Sequence, residues 1–274
     1  MSIKGCIYGI PVFLQYIHKG IWYSLADSLI NGSFAGLKNY TDLISNPSFM
    51  KAVINTGLFT SLCVPLNLGL SLGLALLLNK RIFGKSILRM IFITPLVVPV
   101  ASVVLVWQSM FDINGTLNAL ITALGHKPLD WMKTDWARVT LVIVYLWKNI
   151  GYSMVLFLAG LQNIPIEYYE AASIDGAGTW KQFSGITLVY LTPTAFFVFI
   201  MSIINSFKVF REAYLISGEH PHSSIYLLQH YMNNMFTSLD YQKLTSAAFI
   251  MAILIVLLVL VLFMLERKIN RIIN

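Results

Sequence analysis

Charge is what this sequence has least of: Asp, Glu, Lys and Arg make up only 11% of its 274 residues, against roughly 25% in an average soluble domain. With 57% hydrophobic residues and a mean hydropathy of +0.72, the chain has too little polar surface to cover a water-facing globule. A bilayer is the expected solvent. Cysteine is nearly absent. Cys6 and Cys63 both fall in apolar stretches without metal-ligand spacing, so buried thiols are expected and neither a disulfide framework nor a zinc site. The sequence contains no G-x-x-x-x-G-K-[ST] loop, so ATP hydrolysis is not expected in this chain. Nor does a basic stripe or recognition motif accompany the net charge of +7. Positive charge beside membrane spans accounts for it better than nucleic acid does. Without an internal repeat or a low-complexity linker, residues 1–274 read as one integral domain.

Long apolar runs are what the chain has instead. Six segments, 5–25, 52–78, 87–111, 138–160, 186–210 and 244–265, approach or exceed the roughly 20 residues that span a bilayer. They predict an all-α polytopic membrane protein with six transmembrane helices. The first is the most broken, holding Pro11, Gln15, His18 and Lys19. It reads as a retained helix, because no small-residue cleavage site follows. His18 and Lys19 should face other helices or an interface, since an ionisable group in lipid is costly. Pro65 should kink the second span, Gly69, Gly73 and Ala75 should let helices approach closely, and Pro95 and Pro99 should kink the third. Lys80, Arg81, Lys85 and Arg89 crowd one short loop, which the positive-inside rule places in the cytoplasm. Six spans then put both termini and the loop after the fourth span on that side.

Outer loops are expected at 32–51, 112–136 and 211–243. The second has an Asn114-Gly115 turn and interfacial Trp131 and Trp136. His220, His222 and His230 lie in the third, where the spacing and the missing carboxylate or thiol argue against a metal site.

The inner loop at about 162–185 carries the most information. Glu170-Ala171-Ala172-Ser173-Ile174-Asp175-Gly176-Ala177-Gly178 is a polar island between two apolar runs. Paired alanines form helix with almost no bulk, Gly176 ends that helix with a positive φ, and a second helix begins after Gly178. Two short helices at an angle result, shaped for close approach of a partner. A plain solvated connector is the alternative.

This stretch, with Phe183, Ile186, Leu188 and Pro193 after it and Gly151-Tyr152, Leu158 to Gln162, Ile164-Pro165 and Tyr169 before it, resembles the EAA loop of carbohydrate-type ABC importer permeases. These are the binding-protein-dependent inner membrane components of the maltose and glycerol-phosphate permease kind. The resemblance implies a type I importer permease fold. It implies a multi-pass protein of the bacterial inner or plasma membrane whose loop, through Tyr169, Glu170, Ala171, Ala172, Asp175, Gly176 and Ala177, docks on an ATPase. The implied partners are a second homologous permease, an ABC ATPase dimer that binds ATP and Mg, an extracytoplasmic sugar-binding protein and membrane lipid. No cofactor is implied for this chain itself, and no catalytic residue. Where the family usually carries Leu-Pro this chain has Leu188-Val189, which puts the kink of the next helix in question.

Polar side chains inside spans are candidates for contact with a solute. Tyr145, Lys148, Asn149 and Tyr152 recur at spacings of three and four and so share one helical face. Rings that stack on sugar faces beside an amide that bonds hydroxyls suit a saccharide. Resemblance to maltose-type permeases adds Ser202, Asn205, Ser206 and Val209 in the fifth span. The alternative for all of them is hydrogen bonding between helices. Lys208 and Arg211 stand where kindred permeases often have Gln and an acidic residue. With Lys148 they would form three cations along the path and favour an anionic sugar, whereas a snorkelling Lys208 and an interfacial Arg211 are the plainer reading. A self-sufficient secondary transporter is the rival class. It needs an intramembrane carboxylate, and none is expected deep in a span.

Overall fold

The structure, a computed structural model, describes residue 15 and residues 17–28, 32–80, 83–219 and 221–273, with no side-chain detail at 265 and 268–273. Cys6, Pro11, Arg81, His220 and most of the 5–25 segment lie outside the described residues; of that segment, residues 17–25 are helical. Among the described residues β-structure is limited to an isolated antiparallel bridge between Ala26 and Phe34, and the rest of the regular structure is helix. In chain order the helices are α1 (Lys38–Ile44), α2 (Pro47–Asn79), α3 (Lys85–Val97), α4 (Val100–Phe111), α5 (Thr116–Ala123), α6 (Trp136–Gln162), α7 (Ile166–Ile174), α8 (Thr179–Gln182), α9 (Leu188–Phe207), α10 (Phe210–Ser217), α11 (Leu228–Thr237) and α12 (Tyr241–Ile273).

Four helical runs among the described residues are long and apolar enough to cross a bilayer: Pro47–Asn79, Trp136–Gln162, Thr179–Ser217 and Tyr241–Met264. A fifth is the broken pair Lys85–Val97 and Val100–Ala123, bent by 102°. The described residues therefore give four or five spans against the six expected. The break has a proline cause. Pro99 has no N–H to continue the ladder, and its ring drives Val98 out of helical geometry, to ψ 134, so α3 stops at Val97 and α4 starts afresh at Val100. Pro95, expected to share that role, sits within α3.

The chain packs as two compact units. The first comprises residues 1–56 and 226–257. Its core is Leu43, Phe49, Ala52, Leu228, Tyr231 and Ala247, with the Tyr231 ring edge-on to Phe49 at 5.3 Å. Thr56 Oγ1 donates to the Ala52 carbonyl at 2.8 Å and accepts the Leu228 N–H at 2.9 Å. One hydroxyl thereby supplies a partner for a free donor at the start of α11. Within α11, His230 is buried, which lowers its pKa to about 4, because an imidazolium would lose its hydration. The Leu227 N–H donates to His230 Nδ1.

The second unit comprises residues 57–225 and 258–274 and contains every candidate site residue. Its core is built from Ala75, Leu78, Met154, Phe157, Leu158, Leu161, Ile164, Leu191 and Val198, drawn from α2, α6 and α9 and the turn that follows α6. Helices α3 and α6 meet closely at Gly151, where a Cβ would fall 1.7 Å from the Phe92 carbonyl oxygen. Only glycine fits there. The 112–136 segment, expected as an outer loop, folds around the buried Asn118 of α5. Its Nδ2 donates to the carbonyls of Asp112, Ile113 and Leu129, and its Oδ1 accepts from the Leu129 N–H and Trp131 Nε1.

Candidate coupling loop and solute path

Helix α7 begins after Pro165, which cannot extend a helix backwards, and carries Tyr169 to Ile174. Its end is a Schellman motif: the Ala177 N–H donates to the Ala172 carbonyl at 2.8 Å and the Gly176 N–H to the Ser173 carbonyl at 3.1 Å, with Gly176 at φ +76°. The sequence Ala172-Ser173-Ile174-Asp175-Gly176-Ala177 thus encodes a helix stop in its backbone bonds. Gly178 is extended, and α8 follows. Gln182 Nε2 on α8 donates to Ser173 Oγ at 2.9 Å and to the Ala177 carbonyl at 3.0 Å, which ties the second short helix to the first. Tyr169 and Thr187 hydroxyls pair at 2.9 Å, anchoring α7 to the helical run Thr179–Ser217.

The loop's outer side is bare. Glu170, Ala171 and Asp175 are exposed, Ile174 is 87% and Trp180 75% exposed, an unusual display of apolar surface for a loop that nothing covers. Beyond Gln182 the backbone passes through one π-turn at Phe183–Thr187 before α9. Leu188-Val189 in place of Leu-Pro therefore does not remove the irregularity from this helix. It arises one step earlier as a π-bulge, a feature that inserts a residue into the i→i−4 ladder.

The intramembrane candidates form a polar seam joining α2, α6 and α9. Asn67 Nδ2 donates to Ser153 Oγ and Ser202 Oγ, each at 2.8 Å. Thr60 and Ser206 hydroxyls pair at 2.8 Å. Tyr145 donates its hydroxyl to the Ser202 carbonyl at 2.8 Å. Asn205 Nδ2 donates to Asn149 Oδ1, and Asn149 Nδ2 donates in turn to the Tyr145 carbonyl. Tyr145, Ser202, Ser206 and Val209 are buried within the chain. Surface for a solute is left on Lys148, Tyr152 and Asn205, all part-exposed, and on Lys208, exposed in the turn between α9 and α10. Asn67 and Thr60 did not figure among the sequence candidates. Their signal was available as polar residues spaced by seven on a predominantly apolar helix, which places them on one face.

One expectation is corrected here. A carboxylate deep in a span was not expected, and 211–243 was read as a loop. In the structure α10 extends the run Thr179–Ser217, and Glu212 on it is buried and ion-paired with Lys148. The three cations Lys148, Lys208 and Arg211 are therefore not three free charges. Elsewhere in the unit, a polar cavity of about 590 Å³ opens beside Gln108, Asp112, Asn114 and Thr116 at the end of α4. Of the histidines expected in an outer loop, His222 places its Nδ1 2.9 Å from the Ser224 hydroxyl.

A bundle of apolar helices with an internal polar seam and a bare helix–turn–helix between spans defines a membrane transport subunit. The chain belongs to the family of binding-protein-dependent transport system inner membrane components, which matches residues 67–273. It is 33% identical over 269 residues to the lactose transport system permease protein LacF of Rhizobium radiobacter, covering 94% of this chain and 88% of that one. To the trehalose/maltose transport system permease protein MalF of Thermococcus litoralis it is 36% identical over 190 residues, 69% of this chain and 64% of that one. Its fold matches a chain of the bacterial alginate ABC transporter solved in complex with an alginate pentasaccharide-bound periplasmic protein. The TM-score is 0.84 at 19% identity, over 97% of this chain and 93% of that one.

Proposed function

We propose that this chain is the permease subunit of an ATP-driven importer for a neutral sugar or oligosaccharide, forming half of the translocation path beside a second, homologous permease. The observation that carries the coupling is the α7–α8 hairpin: a rigid, Schellman-stopped pair of short helices, tied internally by Gln182 and presenting Glu170, Ile174 and Trp180 uncovered. Such a surface is made to be filled. An ABC ATPase dimer, which binds ATP and Mg, fills it; its closure moves the hairpin and alternates access by rigid bundle motion around a midplane site. A binding protein delivers the sugar to the opposite face. The arrangement has six spans with both termini and the hairpin in the cytoplasm, as the Lys80, Lys85 and Arg89 cluster favours.

Lactose and trehalose or maltose, the solutes in two relatives' names, support a sugar as the substrate class. The case for an anionic solute rested on three free cations, and the pairing of Lys148 with Glu212 weakens it. Glu212 is also the buried carboxylate that a proton- or sodium-coupled transporter would need. Family membership outweighs that rival.

The test is ATP hydrolysis in proteoliposomes holding the complete transporter, with and without its binding protein and a panel of sugars. One sugar should stimulate hydrolysis, and Glu170→Lys should abolish the stimulation while weakening retention of the ATPase. Uptake by this chain alone, without ATP, would sink the proposal.

A further inference from the structure

The Lys148–Glu212 pair has an asymmetry that bears on solute charge. The Lys148 side chain is 30% exposed and Glu212 only 6%. Glu212 lies against an apolar wall that includes Pro95, Val98, Val104, Val144 and Trp147, beside the break between α3 and α4. Its carboxylate therefore has little water to screen it, and Lys148 is the cation that compensates it. Lys148 in turn sits on the face of α6 shared with Asn149 and Tyr152, so its ammonium is the part of the pair that a solute on that face would meet.

A lone ammonium in a partly dehydrated path attracts carboxylates and phosphates strongly. Paired with Glu212 it presents a dipole, whose field falls off faster with distance than that of a charge. A carboxylated sugar on that face of α6 must shed water without gaining Lys148 as a free counter-cation, with only Lys208 exposed beyond it in the turn between α9 and α10, and poorly paired charge in a dehydrated site is the costly case. An uncharged sugar meets no such cost and finds amide and phenol groups for its hydroxyls.

We propose that Glu212 is a specificity-determining residue: by neutralising Lys148 from behind, it makes the path select uncharged saccharides over carboxylated ones. This rests on the reading above that the Lys148 face of α6 lines the path. Glu212 touches no solute; it acts through Lys148.

Equilibrium binding to the assembled transporter in nanodiscs tests it, with the binding protein omitted so that its own selectivity does not enter. The probes are lactose and digalacturonate, and assembly of each variant is checked by gel filtration. Wild type should favour lactose. Glu212→Gln, which frees the Lys148 charge, should shift the digalacturonate-to-lactose ratio upwards by about tenfold or more, the scale of one poorly screened charge. Lys148→Gln, which leaves a carboxylate, should shift it the other way. The exchanged pair Lys148→Glu with Glu212→Lys should return it towards wild type. A pair that merely braces α6 against α10 predicts equal loss of both sugars in both single variants, and that result overturns the inference, as does a wild type that prefers digalacturonate. Wild type that binds neither probe, in a transporter that no sugar stimulates, refutes the sugar-import reading itself and the inference with it. Sugar-stimulated hydrolysis with an unmoved ratio in Glu212→Gln refutes the inference alone.

Discussion

At the residue scale, single atoms decide what each position tolerates. Gly151 was legible as part of a motif, but its reason was not: it brings α6 against the Phe92 carbonyl of α3, where a Cβ would stand 1.7 Å from the oxygen. Gly151→Ala should lower the stability of the purified complex by about 1–3 kcal/mol or more, seen as a drop in its thermal midpoint. Gly57→Ala, at a site with nothing within 4 Å, should leave the midpoint unchanged or raise it slightly. His230 offers a second test. Burial lowers its pKa from 6.5 to about 4, so between those values the unfolded chain binds a proton that the folded chain refuses. Stability is therefore fully present above about pH 6.5, falls as the pH drops towards 4, and falls no further through this group below that. The loss at the low end is about 3 kcal/mol as an upper figure. Melts of wild type and His230→Gln from pH 4 to pH 7 should diverge in slope over that window; parallel curves would refute it. The sequence named His230 only as a rejected metal ligand, because burial is a tertiary fact.

At the element scale, what could be read ahead was whatever is fixed by neighbours in the chain. The helix–turn–helix around Glu170 was legible because turn chemistry is local: a glycine that must take φ +76° and two backbone bonds across six residues. The break at Val98–Pro99 was legible for the same reason, since proline constrains itself and the residue before it. The partners of the polar seam were not. Tyr145 was a candidate by its spacing on one helical face and Ser202 and Ser206 by the family resemblance, yet their hydroxyls bond to the Ser202 carbonyl, Asn67 and Thr60 on other helices, and no periodicity encodes which helices touch. Glu212 was missed because Arg211 and Glu212 gave the segment a polar start that hid the continuing helix α10. A prediction belongs here. Gly176→Ala should strain the left-handed position by about 1–3 kcal/mol without touching any span. Expression and assembly should therefore survive, while sugar-stimulated ATP hydrolysis falls more than the thermal midpoint suggests. Gln182→Ala, which frees α8 from Ser173 and Ala177, should do the same more mildly. Variants that lose assembly and hydrolysis in step would show the hairpin to be a structural brace.

At the scale of the whole molecule the open quantity is the number of crossings, and charge distribution makes it testable. Among the described residues four helices qualify as spans, or five with the bent pair, and the 5–25 segment supplies the sixth in the proposed arrangement. The loop with Lys80 and Lys85 and the hairpin with Lys181 should share the cytoplasmic side, and the α5 segment with Lys127 should face outwards. Cys63 is buried, so a Cys6→Ser background leaves little thiol for a membrane-impermeant reagent. In that background Lys127→Cys should label in intact cells, whereas Ser86→Cys and Lys181→Cys should label only after lysis. These three set the frame but do not count the spans, because removing the first crossing leaves all of them where they are. Ser2→Cys does count them. It labels only after lysis if 5–25 crosses the bilayer, and in intact cells if it does not. Labelling of Ser2→Cys from outside, with the other three as stated, would reduce the arrangement to five spans and put the N-terminus on the side of Lys127, while leaving the hairpin facing its ATPase.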